Sequence, residues 1–225
     1  MHYLSDGPPD ATRRLILAHG AGEGPESPFL THVAQGLARG GVCVTRFAFP
    51  YMAEMAKGGP RRPPDPTPVL LAAWREVIAD VLSRGVGSNG LAIGGKLGAA
   101  PGAPSLPLVL GGKSLGGRLA SLIVDEVGAA GLVCLGYPFH PPGRAERLRT
   151  EHLAGLRTPT LICQGTRDPF GRPDEVEGYR LSPAIRVAWI ADGDHSLVPR
   201  KASGRTWEQN LGQVVREVLE FLGPG

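Results

Sequence analysis

Ser114 lies in a stretch that matches two sequence motifs, one for phosphate binding and one for a nucleophilic serine. Residues 108–120 read LVLGGKSLGGRLA, in which Ser114 follows a short apolar run. Gly112, Lys113 and Ser114 spell GKS, the end of a phosphate-binding P-loop. Gly112, Ser114 and Gly116 spell G-x-S-x-G, the turn that presents a nucleophilic serine. The two motifs belong to unrelated proteins, so the rest of the sequence has to decide between them.

The spacing argues against a P-loop. That motif is G-x-x-x-x-G-K-[ST], and here Pro107 takes the position of its first glycine. Residues 106–110 read LPLVL, which is typical of a strand and leaves no loop to wrap a phosphate. A strand, the turn GGKSLGG and an amphipathic stretch over Leu115–Val127 instead predict a nucleophile elbow. We expect a strained backbone at Ser114, with a positive φ.

A serine hydroxyl needs a base to become a nucleophile, and the base needs an acid to orient it. After an elbow of this type the chain order is Ser, then Asp or Glu, then His. Of six histidines, His195 follows the last predicted strand, in IRVAWIADGDHSL. Asp168 follows the preceding strand, in TPTLICQGTRDPF, and is the predicted acid. Asp192 and Asp194 are the alternatives, but so near a neighbour of the histidine rarely faces its ring correctly.

The fourth part of such a site is an oxyanion hole. One donor is predicted to be the N–H of Leu115, directly after the nucleophile. The other should come from a loop after an early strand, and LILAHGAGEG supplies a strand over Leu15–Ala18 followed by small residues. We assign the second donor to the N–H of Ala21, with Gly22 as the alternative.

Short apolar runs alternate with amphipathic stretches along the chain, which predicts an α/β protein with a mostly parallel sheet and helices on both faces. Six strands are expected: Leu15–Ala18, Val42–Phe47, Leu106–Leu110, Leu132–Leu135, Thr160–Cys163 and Ile185–Ile190. The expected helices begin at Ser27-Pro28 or lie near Thr67–Ser83, Leu115–Val127 and Thr206–Leu222.

Two segments interrupt this alternation. Residues 48–68 are rich in Pro, Gly and Arg, and residues 84–105 read RGVGSNGLAIGGKLGAAPGAPS. We interpret residues 84–105 as a flexible surface insertion within a single domain over residues 1–225. Only residues 136–157 are available for a lid before the acid strand, too few for a helical cap domain, so the site should be open.

Composition narrows the classes of protein further. The chain has 225 residues, of which 42% are hydrophobic, and a net charge of +3. That charge is too small to indicate nucleic acid or an anionic membrane as partner. No secretory signal and no apolar run of about 18 residues is visible, so a cytoplasmic location is expected. Three cysteines lie in apolar runs and are expected to be reduced and buried: Cys43, Cys134 and Cys163.

With these residues in hand, the chain resembles the α/β-hydrolases. More narrowly it resembles the small, lidless, dienelactone-hydrolase-like family, which includes bacterial uncharacterised hydrolases, a testis-expressed eukaryotic protein and a subunit of a histone-acetyltransferase complex. The stretches that carry the resemblance are LAHGAG, RFAFPYM, GGKSLGGR, GLVCLGYPFHPPG, LRTPTLICQGTRDPFG and DGDHSLVPRKASGRT. The resemblance implies Ser114, Asp168 and His195 as the triad. The insertion over residues 84–105 departs from the family.

The sequence therefore predicts a serine hydrolase that cleaves a small ester or similar acyl substrate, without a metal or organic cofactor. A thioesterase or a peptidase is an alternative within the same chemistry. A non-catalytic protein-interaction module on a hydrolase fold is the alternative from another class. An intact triad favours the enzyme. The sequence leaves the oligomeric state open.

Basic side chains recur near these motifs, and two interpretations of them stay open. They could bind a substrate carboxylate or phosphate, or they could be solvated surface charges. They are Arg61, Arg62, Lys113, Arg118, Arg200, Lys201 and Arg205. Gly22, Lys113 and His140 are the candidates for substrate binding. His140, in GYPFHPPG, could instead cap a loop.

Overall fold

A computed structural model of the chain describes residues 3–84, 92–93 and 105–224. Its strands in these ranges are β1 (Tyr3–Asp6), β2 (Arg13–Ala18), β3 (Val42–Phe47), β4 (Ala92–Ile93), β5 (Ser105–Leu106), β6 (Leu108–Lys113), β7 (Gly131–Leu135), β8 (Thr160–Gly165) and β9 (Ile185–Ile190). Seven of them form one sheet in the order β1-β3-β2-β6-β7-β8-β9, and β4 and β5 form a separate two-stranded ladder. Within the large sheet every neighbouring pair is parallel except β1 with β3.

Helices cover both faces of this sheet. They are α1 (Pro28–Arg39), α2 (Pro50–Ala56), α3 (Thr67–Arg84), α4 (Leu115–Val127), α5 (Pro173–Val176) and α6 (Trp207–Leu222). One apolar cluster joins the sheet to α3 and α4, and includes the buried Trp74. A second cluster joins the opposite face to α1 and α6. Because both faces are covered, β6, β7 and β8 are buried along their whole length.

Helix α1 shows how local sequence sets an element. Ser27 is its N-cap and accepts a hydrogen bond from Leu30 N at 3.4 Å, and Pro28 stands at the first helical position. The predicted apolar face is buried: Phe29, Leu30, Val33, Ala34 and Leu37. All three cysteines are buried and unpaired, as expected.

The topology brings the carboxyl ends of the parallel strands to one edge. The chain leaves β6 at Ser114, leaves β8 just before Asp168 and leaves β9 just before His195. The connection over residues 136–159 contains one 3₁₀ helix, Glu151–Gly155, and no α-helix. No helix in the described ranges is long and apolar enough to cross a membrane.

Some expectations about elements were wrong. Leu106–Leu110 is not one strand: Ser105–Leu106 pairs with Ala92–Ile93, and the main-sheet strand starts at Leu108. Pro107 separates the two because it has no N–H to donate to a ladder. The sequence reading also missed the antiparallel edge strand β1 and helix α2, which lies within residues 48–68.

The predicted flexible insertion, residues 84–105, lies outside the described residues apart from Arg84, which ends α3, and the short β4–β5 ladder.

Candidate active site

Ser114 occupies the sharp turn between β6 and α4. Its N–H donates to Leu135 O at 2.9 Å, and its carbonyl accepts from Arg118 N at 3.0 Å. Its backbone has φ 49° and ψ −113°. Residues with a side chain rarely adopt this region, and strain of this kind collects at functional sites. The positive φ expected of an elbow serine is present.

The two glycines of G-x-S-x-G are required by the close crossing of backbone segments. A Cβ on Gly112 would lie 2.4 Å from the carbonyl carbon of Gly116. A Cβ on Gly116 would lie 2.7 Å from the carbonyl oxygens of both Ala18 and His19. Side chains at these positions would push the strand, the helix and the β2 loop apart. The motif therefore fixes the geometry of the turn as well as the identity of the serine.

Ser114, His195 and Asp168 form one chain of hydrogen bonds. His195 Nε2 lies 2.9 Å from Ser114 Oγ, and His195 Nδ1 lies 2.8 Å from Asp168 Oδ2. The Asp168 carboxylate is fully buried, whereas the His195 side chain keeps 21% of its surface exposed. The ring of Phe170 packs against the imidazole, with 4.1 Å between ring centroids.

Asp168 is held from two further directions. Gln164 Nε2 donates to Asp168 Oδ2 at 2.9 Å, and Phe170 N donates to Asp168 Oδ1 at 2.9 Å. The Gln164 amide is itself fixed, because its Oε1 accepts from Tyr137 N at 2.7 Å. Both carboxylate oxygens thus accept strong hydrogen bonds, which orient the group that meets the imidazole.

The two alternative acids have other partners. Asp192 accepts hydrogen bonds from the guanidinium and the backbone N–H of Arg200, and these lower the pKa of its carboxyl group. Asp194 Oδ1 accepts from Ser196 N at 2.8 Å and from Val198 N at 2.9 Å. Both carboxylates thus shape the loop that carries His195, and Asp168 is the acid that contacts its ring.

The predicted oxyanion loop lies beside the nucleophile. A Cβ on Gly20 would lie 3.7 Å from Ser114 Cβ, so residues 19–22 border the elbow. Leu115 is the first residue of α4, a position whose N–H has no partner within a helix. No hydrogen bond among the described residues uses the N–H of Leu115 or of Ala21. Both predicted donors are thus unpaired within the part of the chain that the structure describes, and their role stays a prediction.

The buried side chains of His19 and Tyr51 form hydrogen bonds with backbone carbonyls of this loop. His19 Nδ1 donates to Gly20 O at 2.6 Å and its Nε2 accepts from Phe49 N at 3.0 Å. Burial lowers the pKa of His19 to about 4, so the ring is neutral at pH 7. Tyr51 Oη donates to Ala21 O at 3.0 Å, and burial raises its pKa to about 12. These bonds hold the carbonyls of Gly20 and Ala21 in place.

The candidates for substrate binding fall in different places. Lys113 is buried: its Nζ donates to His195 O at 3.4 Å and lies 5.1 Å from the centroid of the Phe29 ring. Burial lowers its pKa. Its amine is thus engaged by the loop of His195, and a direct contact with substrate stays a prediction.

The other two candidates differ from each other in exposure. Gly22 is exposed, with open space beside its Cα. His140 is buried, with Nδ1 2.9 Å from Pro141 O and Nε2 3.3 Å from Glu175 Oε1. Nδ1 of His140 is thus engaged by the loop, which favours the role of a loop anchor, whereas Nε2 lies near Glu175 without a hydrogen bond among the described residues.

The sheet order, the elbow and a connection over residues 136–159 that contains no α-helix define an α/β-hydrolase fold without a helical lid in that connection. A family model described as an alpha/beta hydrolase domain matches residues 11–223, so the chain belongs to that family.

Three solved structures show how widely this fold is shared. An α/β serine hydrolase without a lid from Xanthomonas campestris has a TM-score of 0.69 at 18% identity, covering 99% of this chain and 90% of its own. Dienelactone hydrolase from Anabaena variabilis has a TM-score of 0.64 at 20% identity, covering 97% of this chain and 89% of its own. Est1E from Butyrivibrio proteoclasticus, solved with ferulic acid, has a TM-score of 0.65 at 15% identity, covering 98% of this chain and 93% of its own.

Sequence reasoning missed the residues that support the site. Gln164, Phe170, His19 and Tyr51 carry no local motif. The signal that could have marked them is their place inside the stretches QGTRDPFG, LAHGAG and RFAFPYM, which also carried the resemblance.

Proposed function

We propose that this protein is a serine hydrolase that cleaves a small ester or a similar acyl compound. The observation that carries the proposal is the unbroken hydrogen-bond chain from Ser114 Oγ through His195 to the buried Asp168. The strained elbow that presents Ser114 and the two free N–H groups beside it support the same chemistry. Membership of the α/β hydrolase family fits this activity but does not assign it.

In the proposed mechanism Ser114 Oγ attacks the substrate carbonyl carbon while His195 Nε2 takes its proton. Asp168 accepts from Nδ1–H and stabilises the imidazolium that forms. The N–H groups of Leu115 and Ala21 donate to the negatively charged oxygen of the tetrahedral intermediate. His195 then gives its proton to the leaving group, and an acyl-enzyme remains. Water, activated by the same imidazole, attacks the acyl carbon and releases the acid.

The open site bears on the size of the substrate. The connection over residues 136–159 contains a single 3₁₀ turn and no α-helix, so it offers little apolar surface to enclose a long acyl chain. We infer a short or compact acyl substrate. A structural neighbour was solved with ferulic acid, a compact aromatic acid, and an ester of comparable size is consistent with the geometry here. The narrower likeness to the small dienelactone-hydrolase-like group belongs to this proposal.

The test uses labelling and turnover together. Wild-type protein should react with a fluorophosphonate probe and hydrolyse short p-nitrophenyl esters. Ser114→Ala should lose the label, and its kcat should fall by about 10⁶, as removal of a triad serine does elsewhere. Its melting temperature should stay close to wild type, because one hydroxyl is lost.

Ser83→Ala is the matched control, since Ser83 is exposed and bonds Asp80 O near the end of α3. It should keep the label and the turnover. Equal turnover by Ser114→Ala and wild type would contradict the nucleophile assignment. Wild-type protein with neither label nor turnover would favour the non-catalytic interaction module.

A further inference from the structure

The loop that carries His195 has a strained backbone. This segment, residues 191–197, is called the histidine loop below. Two of its residues with side chains lie in the left-handed region, Asp192 at φ 54° and Leu197 at φ 61°. For a bulky residue such as leucine this conformation is unfavourable, and it persists only where the surrounding structure holds it. The position of the His195 ring therefore depends on the groups that hold the histidine loop.

Asn210 of α6 contacts both ends of the histidine loop. Its Nδ2 donates to Leu197 O at 2.8 Å and, in a longer bond, to Ala191 O at 3.4 Å. Its Oδ1 accepts from Arg205 Nε at 2.8 Å. Because a guanidinium can only donate, this third bond fixes which end of the Asn210 amide faces the loop. One oriented amide thus joins the two ends of the loop, and its shorter bond goes to the carbonyl of the strained Leu197.

Asn210 lies on the apolar face of its helix. It is fully buried, like Leu211, Val214 and Val218 on α6. A buried amide is unfavourable unless it is hydrogen-bonded. Within the described part of the chain, the Asn210 side chain bonds the histidine loop and Arg205. The contacts that offset the cost of burying this amide are therefore contacts that hold the histidine loop.

Trp207, one helical turn before Asn210, makes a further contact with the loop. Its Nε1 donates at 2.9 Å to the carbonyl of Ser196, the residue directly after His195. The start of α6 is fixed by a capping box, in which Thr206 Oγ1 accepts from Gln209 N and Gln209 Oε1 accepts from Thr206 N. Residues three apart lie on the same side of a helix. Trp207 and Asn210 therefore meet the histidine loop from one side of a well-defined first turn.

We propose that α6 positions the catalytic base, with Asn210 and Trp207 as the positioning residues. They hold the histidine loop so that His195 Nε2 stays at Ser114 Oγ and Nδ1 stays at Asp168 Oδ2. The proposal rests on the proposed hydrolase activity, because it concerns the base of that reaction. Proton transfer requires Nε2 within hydrogen-bond reach of Oγ, and a shift of about 1 Å lowers a rate by about 10².

The first test removes the amide of Asn210. Asn210→Leu keeps a buried side chain of similar size but has no donor for Leu197 O or Ala191 O. Its kcat on a short p-nitrophenyl ester should fall by about 10², with KM nearly unchanged because the substitution leaves Ser114 and the predicted oxyanion donors in place. Val214→Ala is the matched control, since Val214 is buried one turn further along α6. It should lower the melting temperature and keep the wild-type kcat.

A second measurement needs no substrate. The proton on Nδ1 of His195, hydrogen-bonded to Asp168, should give a separate signal at the low-field end of the proton NMR spectrum of wild-type protein. Asp168→Asn should remove that signal, which assigns it. Asn210→Leu should broaden or lose the signal, whereas Val214→Ala should retain it. A side chain that contributes only stability would leave this signal unchanged in the folded protein.

Trp207→Phe is the milder variant and decides the proposal if Asn210→Leu fails to fold. It keeps an aromatic ring but removes the donor to Ser196 O, so kcat should fall about fivefold, in the range of one neutral hydrogen bond. Trp74→Phe is its control. It deletes the same atoms from a buried tryptophan whose Nε1 has no hydrogen-bond partner among the described residues, and its kcat should match wild type.

Two outcomes would overturn the proposal. One is a wild-type kcat and an unchanged low-field signal in Asn210→Leu, or in Trp207→Phe if that variant has to decide. The other is a loss of kcat in Val214→Ala or Trp74→Phe as large as in the paired test variant, which would assign the effect to stability. Failure of the hydrolase activity itself appears differently, as wild-type protein with no turnover and no fluorophosphonate label. The low-field signal then decides the positioning role without turnover.

Discussion

The polar groups on two sides of Ser114 differ in how completely the protein satisfies them. On one side, Asp168 and Gln164 are fully buried and every strong acceptor and donor has a partner. On the other side, the N–H groups of Leu115 and Ala21 have no hydrogen-bond partner among the described residues. Buried polar groups are costly unless they are paired. The first region is therefore built to hold a fixed geometry, and the second is suited to receive a ligand.

His19 belongs with the satisfied groups, although it lies beneath the oxyanion loop. Both of its ring nitrogens have backbone partners, Gly20 O and Phe49 N. Side chains such as His19 and Gln164 should act on the reaction through position, and in the proposed mechanism Asp168 also stabilises the imidazolium. Their removal should therefore alter kcat, stability or pH dependence.

The largest effect should come from substituting Asp168, a buried side chain whose oxygens both accept hydrogen bonds. Asp168→Asn keeps the volume but presents the wrong group to Nδ1 of His195, so kcat should fall by about 10⁴. Asp192→Asn is the matched control, because Asp192 lies on the loop of His195 but pairs with Arg200. Kinetics with a short p-nitrophenyl ester measure both. A larger loss of kcat in Asp192→Asn than in Asp168→Asn would reverse the assignment of the acid.

Lowering the pH should weaken the support under the oxyanion loop. The folded protein keeps His19 neutral down to a pKa of about 4, whereas the unfolded chain takes up the proton near pH 6.5. The stability from the neutral ring is therefore complete above pH 6.5 and declines as the pH falls toward 4, by about 3 kcal/mol in all.

Urea unfolding at pH 7 and pH 4.5 measures this effect. Between the two values wild-type protein should lose about 2 kcal/mol more free energy of unfolding than His19→Gln, which has no ring to protonate. Identical losses in the two proteins would show that His19 does not resist protonation in the folded state.

A smaller effect is expected at Gln164, which positions Asp168 without touching a substrate. Gln164→Met keeps the bulk but removes the donor to Asp168 Oδ2, so kcat should fall about tenfold with KM nearly unchanged, an increase of about 1.4 kcal/mol in the barrier. The melting temperature should also fall, since backbone partners such as Tyr137 N are left unpaired.

Ile162→Val is the control that separates the predicted loss of kcat in Gln164→Met from its predicted loss of stability. Ile162 is buried on the same strand, and the substitution should cost about 1 kcal/mol of stability. Its kcat should remain at the wild-type value. If Ile162→Val loses as much kcat as Gln164→Met, the effect of Gln164 is a general loss of stability and not a loss of orientation.

The amino-acid sequence by itself predicted most of the elements and the chain order of Ser114, Asp168 and His195. Apolar periodicity located the parallel strands, because a strand covered on both faces has to be apolar throughout. G-x-S-x-G located Ser114, because a backbone crossing this close admits only glycine at those two positions. The strand ends located His195 and Asp168. Signals of this kind are local, so a single sequence displays them. Pro107 and the edge strand β1 were misread because the pairing of a strand depends on distant residues.

The tertiary structure alone decided which polar groups are satisfied. Gln164 and Tyr137 are 27 residues apart, and Tyr51 and Ala21 are 30 apart, so no local pattern joins them. The sequence placed seven basic residues near the motifs without distinguishing them. Only the folded chain shows that Lys113 is buried with its amine on the carbonyl of His195, and that Arg62 and Arg200 have carboxylate partners. The physical reason is that charge neutralisation depends on distance in space, which the chain sets only when it folds.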